Sequence, residues 1–224
     1  MKIRILSLDF EGTLVRIEDM DWFWREHIPS LYSKKTGKSL SESKDIIYRD
    51  YEEVGTQRPE WYIPEYWFKK YDIAEEYTHS VKMLCDKIVP MEDVTELEVP
   101  ESIEVIICSN TWEDIIRMSL DKIKLNAKVT RIFTPQSFGL TKKDKDFYKK
   151  IGRILGLGDC SCILHVGDNL EYDYLAPLSA GWRALLIERR KEKVSANSIK
   201  DIKQDNFDSV MKVDSLKQVS KYVT

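Results

Sequence analysis

Five apolar runs of strand length punctuate this chain, at residues 3–8, 103–108, 129–133, 163–166 and 184–187, with a weaker sixth at 210–213. Each is short and rich in Ile, Val and Leu, the pattern of a strand buried on both faces. Helical spacing fills the gaps between them. Residues 112–125 set Trp112, Ile115, Ile116, Leu120 and Ile123 on one face, and Thr111 with Asp114 predicts a capping box. Residues 144–155 align Phe147, Tyr148, Ile151, Ile154 and Leu155 behind Asp144 as N-cap, and 215–222 predicts a closing helix. Strands separated by helices predict an α/β fold: an open, parallel, Rossmann-like sheet with helices on both faces.

Residues 17–90 break this alternation. They hold no strand pattern, yet carry 13 of the chain's 24 aromatic side chains. This predicts a small all-helical domain, 17–90, inserted after the first strand into a core made of 1–16 and 91–224. So small a bundle needs large rings to bury enough area. Its "RPEWYIPEYWF" (58–68) places two prolines among five aromatics, which predicts an irregular, ring-lined segment, either capping the insertion's core or facing a ligand. "TGKSL" (36–40) ends like a phosphate-binding P-loop, but the loop's first glycine would fall at Tyr32, so a solvated turn is expected.

With 224 residues, 35 basic against 38 acidic and a net charge of −3, the chain has no basic block, which argues against a nucleic-acid binder. No apolar run reaches membrane-spanning length and the N-terminus is charged early, so a cytoplasmic protein is expected. Cys85, Cys108, Cys160 and Cys162 follow no metal or redox spacing and read as reduced thiols. His27, His79 and His165 have no partners at ligand spacing and read as structural. The oligomeric state is open.

Ligands of an open parallel sheet bind beyond the carboxyl ends of its strands. The first run ends at Asp9 and Glu11, the second at Ser109 and Asn110, and the fourth at Asp168, with Asp173 five residues on. A lysine-rich stretch, "GLTKKDKDF", comes after the third. Four carboxylates, a hydroxyl and an ammonium therefore share one edge. Carboxylates that close need a cation to stay charged, and hard oxygen ligands suit Mg²⁺. Ser109 and a lysine are suited to an anion such as phosphate.

These segments resemble the four signature motifs of the haloacid dehalogenase superfamily. "DFEGT" (9–13) is similar to its DxDxT, "CSN" (108–110) to its second motif, Lys142 of "GLTKKDKDFY" to its third-motif lysine, with Lys143 as the alternative, and "GDNLEYD" (167–173) to GDxxxxD. The insertion matches the subgroup whose helical cap enters between motifs one and two. The resemblance implies a phosphatase acting on a small phosphorylated metabolite. Asp9 would be the nucleophile that forms an aspartyl-phosphate, Glu11 the general acid and base, and Lys142 the cation between nucleophile and phosphate. Mg²⁺ would bind Asp9, the Glu11 carbonyl and Asp168, with Asp173 orienting the metal's water or Lys142. Ser109 and the Asn110 backbone would hold phosphoryl oxygens, and Thr13 would steady the loop through its hydroxyl. The family's dehalogenases need no metal and lack both the GD pair and the second acid, so Asp168 and Glu11 point away from them. A phosphotransferase or mutase, or a catalytically silent binder, are the alternatives. Glu11 is one C–C bond, ~1.5 Å, longer than the family's Asp.

Overall fold

A computed structural model describes residues 2–142, 144–189 and 210–223. Six strands, β1 (Ile5–Leu8), β2 (Glu104–Cys108), β3 (Val129–Phe133), β4 (Ile163–Gly167), β5 (Arg183–Ile187) and β6 (Lys212–Val213), form one sheet in the order β3-β2-β1-β4-β5-β6. All five pairings are parallel. The apolar runs predicted every strand to within a few residues, and β1 at the centre is buried along its whole length.

Residues 17–90 are helical in all their regular elements: α1 (Ile17–Trp22), α2 (Ile28–Thr36), α3 (Leu40–Val54), α4 (Pro64–Lys70) and α5 (Tyr77–Lys87). Between α1 and α2 the helix widens into a π turn, Phe23–His27, just before Pro29, which has no N–H to donate to the carbonyl one turn back and whose ring crowds it. "TGKSL" is the expected turn: Ser39 caps α3 in a reciprocal pair with Glu42. The 58–68 stretch divides. Trp61 and Tyr62 sit in a 3-10 turn with partial exposure, whereas Trp67 and Phe68 on α4 are fully buried.

Past the insertion come α6 (Glu113–Ser119), the short α7 (Pro135–Phe138), α8 (Phe147–Ile154), the short α9 (Ala176–Ser179) and α10 (Leu216–Val223). Side chains alternate across the sheet, as a period of two requires. Leu6, Leu8, Val105, Ile107, Leu164 and Val166 join one apolar cluster, while Ile5, Ile106, Cys108 and Ile163 join another on the opposite face. Helix α8 covers the second face with Phe147, Tyr148 and Ile151. The first face is covered by α6 and α10. Its apolar cluster runs continuously into the insertion through Met20, Phe23 and Phe68. The two crossings between sheet and insertion are tied together, Arg16 N–H to the Val89 carbonyl at 3.1 Å and Met91 N–H to the Leu14 carbonyl at 2.9 Å.

The expected helix over 112–125 stops at Ser119, and the chain turns until Lys124, whose φ is +57°. Its capping box does not form. Trp112 is the N-cap, Asp114 accepts from the Trp112 indole N–H at 3.1 Å, and the Thr111 hydroxyl turns toward Glu11. Nor is Asp144 an N-cap. It accepts from the Asp146 N–H at 2.8 Å, closing a turn, and α8 begins at Phe147. Short polar side chains compete for several local N–H groups, so the spacing alone does not choose among them.

Candidate active site

In the central register Leu8 lies beside Ile107 on one side and Val166 on the other. One or two residues further on, the three strands leave Asp9, Ser109 and Asp168 side by side at the carboxyl edge. The backbone fixes them: Asp9 N–H donates to the Val166 carbonyl at 2.9 Å and Ser109 N–H to the Phe133 carbonyl at 3.1 Å. Gly12 turns the chain at a φ of +77°, and a Cβ there would collide with the Asp168 carboxylate. Any other residue would thus be strained twice, in backbone and in space. Gly167 is needed for the same close approach, since a Cβ would overlap Asp173.

Lys142 reaches this edge from the loop after β3, and it is 3 % exposed. Its ammonium lies 2.7 Å from Asp9 Oδ1 and also contacts Asp173 Oδ1. Its backbone N–H donates to Asn110 Oδ1 at 2.8 Å, so the Asn110 side chain anchors the lysine loop. Lys143 lies outside the described residues. Asn169 caps the turn Leu170–Leu175 by accepting from the Glu171 and Tyr172 N–H groups, each at 3.0 Å. That cap sends Asp173 back under the sheet edge, where Oδ2 accepts from Asn169 N–H at 3.0 Å. Both Asp173 oxygens are occupied.

The charges reflect this packing. Burial raises the pKa of Asp9 against the pull of Lys142, while burial of Asp173 is outweighed by Lys142 and His165, which hold it below the carboxylate range. Burial works against the charge on Lys142, but Asp173 and Asp9 more than restore it. Asp168 opens into the cleft yet is walled by protein, and desolvation with the Asp9 charge pushes it up to about 7. Glu11 is pushed up to about 8, first by desolvation and then by Asp9 and Asp168. Its Oε2 accepts from the Thr111 hydroxyl at 3.3 Å. Glu11 therefore keeps its proton to higher pH than an exposed glutamate does, in the same cleft as a lysine-paired carboxylate.

The donor set fits a hard divalent cation. Asp9, Asp168 and Asp173 each place one oxygen within 4.8 Å of the others, and crowded carboxyls with raised pKa values are what a cation would relieve. With both Asp173 oxygens bonded, Asp9 and Asp168 are the better-placed ligands.

Of the expected residues, Asp9, Glu11, Ser109, Asn110, Lys142, Asp168 and Asp173 line one cavity of about 510 Å³. Thr13 does not. It is fully buried, its hydroxyl has no partner among the described residues, and instead its carbonyl accepts from Arg189 at 2.8 Å. Burial and this carbonyl bond, not a bond through the hydroxyl, hold the threonine in the loop. His165, expected to be structural, touches the site: its Nε2 lies 3.0 Å from Asp173 Oδ1. Its partner at +8 is one turn past a strand end, a separation that no ligand-spacing rule flags. The far wall of the cavity comes from the insertion, through Trp24, Tyr48, Tyr51, Trp61 and Tyr62.

No family model matches the chain. A GMP/IMP nucleotidase, YrfG of Escherichia coli, is 21 % identical over 157 residues, covering 67 % of this chain and 68 % of its own. Among solved structures, a HAD phosphatase from Thermococcus onnurineus aligns with a TM-score of 0.76 at 16 % identity, over 98 % of this chain and 97 % of that one. The HAD-hydrolase YfnB from Bacillus subtilis, bound to magnesium, aligns at 0.62 with 13 % identity over 100 % and 99 %. An L-2-haloacid dehalogenase from Xanthobacter autotrophicus aligns at 0.56 with 14 % identity over 99 % and 98 %. These solved structures align over nearly the whole chain, sheet and helical insertion together: the chain has the fold of the haloacid dehalogenase superfamily.

Proposed function

We propose that the chain is a Mg²⁺-dependent phosphatase that hydrolyses a small phosphomonoester through an aspartyl-phosphate on Asp9. The observation that carries this reading is a single cleft lined by a lysine-paired carboxylate, Asp9, and by the Glu11 carboxyl, which the Thr111 hydroxyl contacts. Nucleophilic attack needs the first and alcohol departure needs the second.

The Asp9 carboxylate attacks phosphorus while the ester oxygen leaves with the Glu11 proton. Glu11, now a carboxylate, takes a proton from water, whose oxygen attacks phosphorus and frees Asp9 and inorganic phosphate. The Ser109 hydroxyl and the Asn110 backbone hold phosphoryl oxygens, and the Lys142 ammonium offsets the charge that builds between phosphate and Asp9. Asp9, Asp168 and the Glu11 carbonyl would hold Mg²⁺, which when bound shields attacker and phosphate from mutual repulsion. Asp173 acts through Lys142.

Dehalogenases share the fold, so fold alone leaves the reaction open. The floor here carries Glu11 and Asp168 beside the nucleophile, which favours a cation and phosphate chemistry over displacement of a halide. Residues 17–90 act as a cap domain over this floor, and its rings define the leaving group. Trp24 and Trp61, 6.3 Å apart, face the cleft with Tyr51 and Tyr62. Aromatic faces stack on flat rings, and the relative YrfG is a GMP/IMP nucleotidase, so purine nucleoside monophosphates are the first substrates to try. No described helix is long and apolar enough to cross a membrane.

Hydrolysis of an aryl phosphate tests the reading. Activity is expected with Mg²⁺, lost in a chelator and restored by readdition. Asp9→Asn is expected to lose about a thousandfold or more in kcat, the scale of a missing nucleophile. Activity undiminished by chelator, or retained in Asp9→Asn, overturns it.

A further inference from the structure

The interior of a parallel sheet is normally apolar, yet here a line of buried polar groups runs inward from the cleft. Asp173, His165, Ser7 and Tyr148 are each at most 1 % exposed. His165 sits in β4 and Ser7 beside it in β1, paired in register. Four polar groups in a low-dielectric interior are costly unless they satisfy one another.

We infer that His165, oriented by Ser7 and Tyr148, is a positioning residue that holds Asp173 so that Lys142 stays shared with Asp9. The inference rests on the phosphatase reading, because the shared lysine matters only if Asp9 is the nucleophile.

With a neutral ring, the hydrogen-bond pattern allows one arrangement. An ionised Asp173 only accepts, so His165 Nε2, 3.0 Å from Oδ1, carries the proton. Burial favours the neutral ring, so Nδ1 is an acceptor, and the Ser7 hydroxyl at 2.7 Å donates to it. Tyr148 donates its own proton to the Tyr172 carbonyl at 2.7 Å, leaving its oxygen to face Nε2 at 3.2 Å. Ser7 thereby selects the tautomer that serves Asp173. Tyr148 ties the network to α8, and α8 comes directly after the Lys142 loop in sequence.

The consequence falls on Lys142. Asp173 accepts from three donors: the ammonium, His165 and the Asn169 backbone. The backbone cannot move to compensate a lost partner, whereas the lysine stem can. With the imidazole gone, the least constrained donor is the ammonium. Asp173, short of one donor, would hold the ammonium it already contacts more closely and draw it away from Asp9, which the ammonium now meets at 2.7 Å. The nucleophile would lose its counter-charge although no residue touching substrate had changed.

The test compares His165→Leu with His165→Gln in the Mg²⁺-dependent aryl phosphatase assay, per folded molecule. Leu removes the donor, and Gln keeps an N–H at a similar reach. His165→Leu is expected to lower kcat about 10–100-fold with little change in KM, the usual cost of removing an outer-shell partner. His165→Gln is expected to recover most of that loss. Should His165→Leu not fold, Ser7→Ala removes one hydroxyl and is expected to lower kcat in the same direction with KM unchanged. Equal losses in Leu and Gln, or wild-type kcat in Leu or in Ser7→Ala, overturn the positioning role and leave the phosphatase intact. A wild-type protein without metal-dependent activity overturns both.

Discussion

The floor and the roof of the cleft are built on different physics. On the floor, backbone hydrogen bonds between parallel strands set the side chains at the strand ends, and Lys142, Asp9 and Asp173 are buried and bonded to one another. Lys142 bonds two carboxylates, and Asp173 takes three donors. On the roof, five rings face the cleft among a few polar side chains, and they are held by ring-to-ring packing such as Tyr51 on Trp67 at 4.6 Å. The two halves are joined by two crossings at residues 14–16 and 89–91. A reaction that loses about a hundredfold in rate to a ~1 Å misplacement is better placed on a hydrogen-bonded sheet edge. Selectivity, which is a matter of shape and apolar area, suits an aromatic roof that can vary without disturbing the chemistry.

The largest effect that would break this contrast belongs to the roof. Trp67 is fully buried while Trp61 lines the cleft, so Trp67→Ala is expected to cost about 3–5 kcal/mol of stability in denaturant titration. Trp61→Ala should cost far less, and should reorder rates across a panel of phosphate esters while sparing the smallest. A uniform loss on all esters in Trp61→Ala would mean that the roof serves the chemistry as well.

Glu11→Gln sharpens the floor. The roughly hundredfold loss in kcat typical of a positioned proton donor is expected, with an unchanged melting temperature. Mg²⁺ binding should persist, because the proposed ligand is the Glu11 carbonyl. Wild-type turnover in this variant would remove Glu11 from the reaction.

The smallest effect is on pH. Asp168 sits at about 7 in the metal-free cleft, so below that pH it is protonated and a cation must displace the proton; above it the carboxylate is free. Apparent Mg²⁺ affinity should therefore weaken about tenfold per unit as pH falls below about 7, and level off above it. Calorimetry at pH 6, 7 and 8 measures this. A flat profile would mean that Asp168 is not displaced from its proton by the ion, and would shift the ligand role elsewhere.

Much of the floor was legible in the chain. Ile5 to Leu8 and Ile163 to Gly167 are buried on both sides, and an acid at the end of such a run has nowhere to go but the sheet edge. Glu11, where the motif it resembles has Asp, was visible too, and its longer side chain bears on reach alone. What the fold adds is its environment: desolvation and two neighbouring carboxylates raise its pKa to about 8.

Sequence by itself determined the apolar strands, the helical insertion and the acids at the sheet edge, because these depend on local periodicity and on the residue types that end each apolar run. Tertiary structure alone decided that Trp61 faces the cleft and Trp67 the insertion's core, since a segment interrupted by two prolines carries no face assignment. It also placed Thr111 on Glu11, Arg189 on the Thr13 carbonyl and His165 behind Asp173. Those pairs join segments that local spacing cannot relate: 100 and 176 residues apart in the first two, and across a strand end in the third. The chain brings them together only when parallel crossovers return each strand to the same edge, and that return is a property of the whole sheet.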